Sequence, residues 1–223
     1  MAKRKLKKFA EVSSFDNCFF LSFEQAREAG LPLKGKWHKE YFKNDNPIVL
    51  ELGCGKGEYT VGLAKRYPDK NFIGVDIKGN RIWTGANAAI ENKMSNVAFI
   101  RTRIDFIDAC FAENEVDEIW ITFPDPQPQK TRTRNRLTNM IFVTRYQKIL
   151  KKGGCINLKT DNEPFYEYTS EVVGENKFEV LDSTNDLYGD TKERDEALTT
   201  IKTYYEKLFS DKGFKICYLK FRV

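Results

Sequence analysis

The sequence contains a single histidine, His38, and no cysteine pair with the CxxC spacing of a metal or redox site. A zinc site built on histidine and a Ser–His–Asp triad are therefore close to excluded. The five cysteines are scattered along the chain: Cys18, Cys54, Cys110, Cys155 and Cys217. We expect free thiols in a reducing cytoplasm and no bound metal.

Long apolar runs are also missing, since no stretch approaches the ~20 apolar residues needed to cross a bilayer. The N-terminal stretch MAKRKLKKFA is basic and lacks the apolar core of a signal peptide, so we expect a cytoplasmic protein. Of the 223 residues, 41% are hydrophobic and 31% are charged, which is ordinary for a soluble globular protein. Such a chain can bury a substantial core.

The net charge of +5 is small but unevenly distributed. Residues 3–8 contain five basic residues and no acidic one, and residues 130–136 contain four basic residues and no acidic one. A solubilising tail and a solvated loop would explain each patch separately. Two such patches in one small chain favour a polyanionic partner.

Strands and helices alternate after Pro47. We predict an N-terminal extension over 1–45, made of a basic arm and irregular chain, and a single domain over 46–223. Strands are predicted near 48–52, 71–76, 97–101, 117–123, 154–160, 177–182 and 214–222, and helices near 57–67, 80–93, 105–113, 138–151, 162–174 and 198–210. The pattern indicates a doubly wound, mostly parallel α/β sheet of seven strands, which binds ligands at the carboxyl ends of its strands.

The stretch IVLELGCGKGEYTVGLAKRYPDKNFIGVD contains a strand, a glycine loop, a helix and a second strand that ends in an acid. Gly53, Gly55 and Gly57 allow a tight turn and close approach of the backbone to a ligand, although they could form a turn alone. Asp76 ends the second strand, where a carboxylate can accept both ribose hydroxyls. Glu51 would oppose the pyrophosphate of NAD but suits the amino group and sulfonium of S-adenosylmethionine. The sequence therefore favours S-adenosylmethionine over a dinucleotide.

The third strand should end beside the adenine of that cofactor. The segment RTRIDF offers two candidates for this contact, Arg103 by register and Asp105 two residues later. The sequence does not choose between them.

The stretch FPDPQPQKTRTRNR follows the fourth strand and contains an acid between two prolines, then a run of basic residues. Pro124 and Pro126 fix the backbone on both sides of Asp125, which holds its side chain without relying on packing. A bland turn is the alternative, but this strand end should face the substrate. The basic residues that follow are candidates for binding phosphate: Lys130, Arg132, Arg134 and Arg136.

The motifs ELGCGKG, GVD, FPDPQPQK, LKTD and TYYE, in this order and spacing, resemble those of the bacterial tRNA (guanine-N7-)-methyltransferases, from about Gly35 to the C-terminus. The resemblance implies a Rossmann-like methyltransferase fold. It also implies methyl transfer from S-adenosylmethionine to N7 of a guanine in the tRNA variable loop, usually numbered 46. Asp125 would then occupy the catalytic position and also lie beside the cofactor.

The same resemblance places further residues at the guanine or its nucleotide: Asp161, Thr203, Tyr204, Tyr205 and Glu206. Some positions depart from the family pattern. Asp76 stands where glutamate is common, Gln127 replaces a tryptophan, and Arg103 occupies a position that is usually acidic. Gln129 replaces the expected substrate-binding lysine, with Lys130 one residue later.

The chemistry of guanine N7 agrees with the scarcity of histidine, because its in-plane lone pair needs no deprotonation. The enzyme must expose the base and align N7 with the methyl group. Asp125, with Asp161 or Glu206, could accept the N1–H and N2–H of the pairing edge. We expect the arm Lys3–Lys8 to act as an accessory clamp that orders when RNA binds.

The sequence is also compatible with other functions. The chain could methylate another RNA, a protein or a small molecule, or it could be a non-catalytic RNA-binding module. A dehydrogenase is a weaker third alternative. We expect tRNA as partner, no obligatory protein partner, and a monomer or homodimer.

Overall fold

The computed structural model describes residues 2–223, with side chains from residue 6 onward. One sheet contains eight strands: β1 (Cys18–Phe20), β2 (Ile48–Leu52), β3 (Asn71–Asp76), β4 (Val97–Arg101), β5 (Val116–Thr122), β6 (Leu150–Thr160), β7 (Glu179–Thr184) and β8 (Cys217–Arg222). The described residues form these helices: α1 (Ala2–Glu11), α2 (Phe23–Glu28), α3 (Glu58–Arg66), α4 (Gly79–Glu91), α5 (Ile107–Cys110), α6 (Met140–Ile149), α7 (Glu163–Glu175), α8 (Ala197–Thr200) and α9 (Tyr204–Ser210). Short 3₁₀ segments cover Val12–Ser14, Ile104–Phe106 and Lys130–Asn135, and a π-helical turn covers Trp37–Phe42.

The strand order is β1-β4-β3-β2-β5-β6-β8-β7, and every neighbouring pair is parallel except those that involve β8. The chain runs outward from β2 through β3 to β4, and then returns to place β5 and β6 on the other side of β2. This confirms the doubly wound, mostly parallel α/β fold. Strand order reverses between β2 and β5, so a ligand crevice is expected at their carboxyl ends.

Apolar residues cover both faces of the sheet, as the continuous apolar strands predict. Leu50 and Ile73 pack into a core on one face, and their strand neighbours Val49 and Phe72 pack into a second core on the other face. Each fully buried apolar side chain of this kind contributes roughly 1.5–3 kcal/mol of transfer free energy. The strands that carry the site are therefore firmly fixed.

The N-terminal segment is more ordered than the sequence suggested. Strand β1 pairs with β4, which gives the sheet one strand more than predicted. Helix α1 packs against α4, where the Glu11 carboxylate accepts the indole N–H of Trp83 at 3.0 Å and the Lys8 ammonium lies 3.8 Å from the centre of the same ring. The arm thus belongs to a helix that packs on the domain, and its role as a clamp for RNA stays a prediction. The side chains of residues 3–5, part of the predicted clamp, lie outside the described residues.

The helix predicted over 198–210 is interrupted. Thr203 is extended and caps α9, with its hydroxyl accepting the backbone N–H of Glu206 at 3.1 Å. Just before the break, Ile201 packs so closely on α3 that a Cβ added to Gly62 would lie 2.6 Å from it. The interruption places the TYYE segment beside the start of α3.

Candidate active site

The loop between β2 and α3 is built from the glycines that the sequence singled out. Gly53, Gly55 and Gly57 have φ values of +75°, +56° and +71°, which L-residues rarely adopt. At Gly57 an added Cβ would also lie 2.6 Å from the ring of Phe99. The loop therefore requires glycine for its turn and for its close approach to the sheet.

Glu51 lies beneath this loop and is only 3% exposed. One carboxylate oxygen accepts the backbone N–H of Thr60 at 2.8 Å and its hydroxyl, and the other accepts the Thr122 hydroxyl at 2.6 Å. Burial raises the pKa of Glu51 to about 7, although the bonds from Thr122 and Thr60 oppose that rise. The carboxylate links the start of α3 to β5, and its predicted contact with the cofactor stays a prediction.

Asp76 ends β3 and also binds the loop. Its Oδ2 accepts the N–H of Gly55 at 2.9 Å, and its Oδ1 accepts the N–H of Lys78 at 2.8 Å. Each carboxylate oxygen has a further lone pair for a ligand hydroxyl. The geometry leaves Asp76 able to accept ribose hydroxyls.

A cleft of about 370 Å³ opens at the ends of β2, β3 and β4. Arg103 and Asp105, the two candidates for the adenine contact, both line it, and they pair with each other at 3.1 Å from Nε to Oδ2. The cleft is lined by Gly53, Asp76, Ile77, Thr102, Arg103, Ile104, Asp105, Asn135, Leu137 and Phe142. Apolar side chains beside the Asp76 carboxylate suit a nucleoside, which is a planar base on a sugar with two hydroxyls, and the second carboxylate, Asp105, is paired with Arg103. The sequence could have indicated Ile77, the residue after Asp76, but it gave no sign of Leu137 or Phe142.

The segment after β5 holds Asp125 in an unusual backbone. Phe123 and Gln127 have φ values of +48° and +46°, a conformation that costs a non-glycine residue of order 1–3 kcal/mol and is often found at functional sites. The N–H of Phe123 donates to the carbonyl of Lys159 at 2.8 Å, and Asp125 Oδ1 accepts the N–H of Gln127 at 3.1 Å. Asp125 is exposed. The chain therefore presents a carboxylate to solvent with one oxygen bound to its own turn.

The basic run forms the 3₁₀ segment Lys130–Asn135. Gln129, Lys130, Arg132 and Arg134 are exposed and can reach a partner. Arg136 differs, because its Nε donates to the carbonyl of Pro126 at 3.1 Å, inside the segment that carries Asp125.

Asp161 directly follows β6 and is half-buried, and burial raises the pKa of its carboxyl above the usual range. Tyr204 and Tyr205 are 55% and 44% exposed at the start of α9. The N–H of Tyr204 donates to Glu58 at 3.0 Å, and Lys56 of the glycine loop lies 4.6 Å from the centre of its ring. The TYYE segment therefore lies against the glycine loop, as a shared site requires.

Glu206 is fully buried, which the sequence did not predict. Its Oε1 forms an ion pair with the buried ammonium of Lys159 at 2.7 Å and accepts the hydroxyl of Tyr188 at 2.7 Å. Lys159 also donates to the carbonyl of Leu198, so it joins β6 to both α8 and α9. In this conformation Glu206 attaches the first turn of α9 to Lys159 and Tyr188, and its contact with guanine stays a prediction. The lysine of LKTD, which follows the apolar run at the end of β6, was the signal for this pair.

The fold is that of the Rossmann-like methyltransferases. Among solved structures, one described as that of an antibiotic-related methyltransferase has a TM-score of 0.61 at 17% identity and covers 91% of this chain and 95% of that chain. The 16S rRNA methyltransferase KamB has a TM-score of 0.60 at 14% identity and covers 90% of this chain and 92% of that chain. At these identities the likeness shows the fold.

Sequence comparisons show which family of methyltransferases the chain belongs to. The family described as "Putative methyltransferase" matches residues 45–219. The tRNA (guanine-N(7)-)-methyltransferase of Bacteroides fragilis is 51% identical over 99% of this chain and 86% of that protein. Those of Porphyromonas gingivalis and Listeria monocytogenes are 53% and 38% identical, over 94% and 82% of this chain and 86% and 83% of theirs. The chain belongs to the tRNA (guanine-N(7)-)-methyltransferase family, which confirms the resemblance seen in its motifs.

Within residues 2–223, none of the helices is long and apolar enough to cross a membrane. Across the same residues, histidine, cysteine and acidic side chains form no group that could hold a metal ion.

Proposed function

We propose that this protein transfers the methyl group of S-adenosylmethionine to N7 of a guanine in tRNA, in the variable loop at position 46. The main support for a catalytic role comes from Asp125. It is an exposed carboxylate on a constrained backbone that follows β5. The cleft that would hold the nucleoside lies at the neighbouring strand ends, and the basic 3₁₀ segment begins five residues after Asp125, at Lys130. Cofactor, base and phosphate would thus meet along one edge of the sheet.

The residues present fit S-adenosylmethionine. Asp76 would accept the ribose hydroxyls, and Ile77 and Phe142 would flank the adenine with Arg103 or Asp105 at its edge. Glu51 and the loop of Gly53, Gly55 and Gly57 would hold the methionine end. When bound, the cofactor supplies a methyl group made electrophilic by its sulfonium.

The reaction needs alignment more than acid–base catalysis, because guanine N7 is already nucleophilic. Asp125 would accept hydrogen bonds from N1–H and N2–H of the guanine and so point N7 at the methyl group. Asp161, at the end of the adjacent strand, would contribute a second acceptor. Because the methylated guanine is cationic, these carboxylates also favour the charge that develops in the transition state.

The tRNA would bind through exposed groups on both sides of Asp125. Lys130, Arg132 and Arg134 would contact phosphates, with Gln129 as a hydrogen-bonding group beside them. Tyr204 and Tyr205 present exposed rings on which an unstacked base can lie. We also propose that the protein acts in the cytoplasm as a monomer or homodimer, without an obligatory protein partner and without a metal.

The test is to incubate the protein with methyl-labelled S-adenosylmethionine and an unmodified tRNA transcript, and then to analyse the digested nucleosides. We expect label in 7-methylguanosine that disappears when the variable-loop guanine is replaced by adenine. Label in another nucleoside would contradict the target, and no label in RNA despite cofactor binding would point to a protein or a small molecule as substrate.

A further inference from the structure

Arg136 ends the basic run but does not extend into solvent as the preceding basic residues do. Its Nε lies 3.1 Å from the carbonyl oxygen of Pro126 and 3.4 Å from that of Gln127. Both carbonyls belong to the turn that carries Asp125. The charge of Arg136 therefore faces backbone acceptors of the same chain.

A second contact fixes the guanidinium from the other side. Its central carbon lies 4.4 Å from the centre of the Tyr168 ring on α7. The hydroxyl of Tyr168 accepts the side-chain N–H of Asn139 at 2.8 Å, and Thr138 shares a buried hydrogen bond of 2.8 Å with Thr169. The segment after the basic run is thus tied to α7, and Arg136 is held between that helix and the turn.

The turn needs such support. Gln127 has a φ of +46°, and its N–H is the group that donates to Asp125 Oδ1. Without an external contact, relaxation of Gln127 would remove that hydrogen bond and release the carboxylate. Upstream, the turn is held by the bond from Phe123 to Lys159, so the Arg136 contact supplies the downstream attachment.

We propose that Arg136 is a positioning residue: it clamps the carbonyls of Pro126 and Gln127 against α7 and so holds Asp125 for the guanine. The role of Asp125 in this inference rests on the proposed function. A planar guanidinium can stack on Tyr168 while its Nε points along the ring plane at the carbonyls, whereas an ammonium cannot do both. The clamp therefore depends on the shape of the side chain and not on its charge alone.

The first experiment needs no RNA. Amide hydrogen exchange is measured for Arg136→Lys, for Tyr168→Leu and for the unaltered protein. We expect exchange of the Gln127 amide to accelerate at least about tenfold in both variants, while the Ile121 amide within β5 is unchanged and reports that the fold is intact. Arg27→Lys serves as a matched control, since Arg27 also lies over a ring, that of Phe23, but is exposed on α2. Unchanged exchange at Gln127 in both variants would overturn the clamp.

The second experiment separates positioning from phosphate binding. Single-turnover methylation at saturating tRNA and cofactor should fall at least about tenfold in Arg136→Lys and in Tyr168→Leu. The dependence of tRNA affinity on salt should stay unchanged in both, because neither variant removes a charge. A single-turnover rate within twofold of the unaltered protein in both variants would contradict the proposal. The proposal would also be contradicted if Arg136→Ala made the salt dependence of tRNA affinity shallower and left the single-turnover rate unchanged. Arg136 would then be a phosphate ligand. If the unaltered protein forms no 7-methylguanosine, the proposed function fails, whereas the exchange of Gln127 still decides whether the clamp exists.

Discussion

The proposed cofactor half of the site, with Glu51 and Asp76, and its proposed tRNA half, with Asp125 and the basic segment that follows, hold their carboxylates in different ways. Glu51 and Asp76 are almost entirely buried, and both oxygens of each accept hydrogen bonds from the glycine loop, its helix or neighbouring chain. Asp125 is exposed and has one bond, to its own turn. The cofactor half is thus part of the core, and most of the tRNA half is attached to its surface.

The difference has an energetic consequence. Buried hydrogen-bonded carboxylates are coupled to folding, so substitutions there should change stability together with binding. Exposed residues such as Asp125 or Arg132 contribute little to stability and can be changed for function alone. The exception is Glu206, which belongs to the tRNA half by motif but is buried on Lys159.

The largest effect is expected at that exception. Lys159→Met removes one partner of a fully buried ion pair and leaves the Glu206 charge uncompensated, so the free energy of unfolding should fall by about 4 kcal/mol. Urea denaturation measures this value. The double variant Lys159→Met/Glu206→Gln should recover most of the loss, because it removes the orphaned charge. If the double variant were no more stable than the single one, the uncompensated charge of Glu206 would not be the cause of the lost stability.

Asp125→Asn should leave stability nearly unchanged and still abolish most of the activity. Asparagine keeps an oxygen for the Gln127 N–H but cannot accept both guanine donors as a carboxylate does, so the single-turnover rate should fall about 100-fold, or about 2.7 kcal/mol in activation free energy. The unfolding free energy should stay within about 0.5 kcal/mol. Asp69→Asn, also exposed but beyond the end of α3, is the matched control. A rate within twofold of the unaltered protein would remove Asp125 from the catalytic position.

Much of the cofactor half could be predicted from the sequence because its signals are local. The strands over 48–52, 71–76 and 97–101 were predicted with the bounds that the structure shows, since each is an apolar run between turn residues. The glycine spacing and the acid at the next strand end likewise lie within one βαβ unit, so Asp76 could be placed without tertiary information.

The tRNA half depended on contacts between distant segments, which a single sequence does not reveal. Strand β1 has three residues, too few for a period. The run ALTTIKTYYEKLFS has a helical pattern throughout, and the break in it coincides with the close packing of Ile201 on Gly62, which is distant in the sequence. The inward direction of Arg136 depends on Tyr168 in another helix.

The pH dependence of the unfolding free energy tests whether burial raises the pKa of Glu51. Its pKa is about 7 in the folded protein against 4.5 as the reference value, so between these pH values the folded state retains a proton that the unfolded state loses. Stability contributed by the protonated form is therefore lost as pH rises, by about 2 kcal/mol between pH 5 and pH 7. The unfolding free energy of Glu51→Gln, measured in parallel, should lack this decline, because glutamine does not titrate. If the unfolding free energies of the two proteins changed with pH in the same way, burial would not raise the pKa of Glu51.

The smallest change in free energy is expected on the exposed basic segment, where it should appear as a change in salt dependence. Each phosphate contact contributes roughly 0.7–0.9 to the slope of log affinity against log salt, so Arg132→Ala/Arg134→Ala should make the slope for tRNA binding shallower by about 1.4–1.8. Stability should not change, because both side chains are exposed. Lys65→Ala/Lys152→Ala removes the same charge from the opposite edge of the sheet, where α3 ends and β6 begins, and should leave the slope near its original value. Equal changes in the two double variants would mean that tRNA responds to net charge alone. A change confined to Arg132 and Arg134 would place the phosphate contacts beside Asp125, since the turn and the 3₁₀ segment are continuous in the chain.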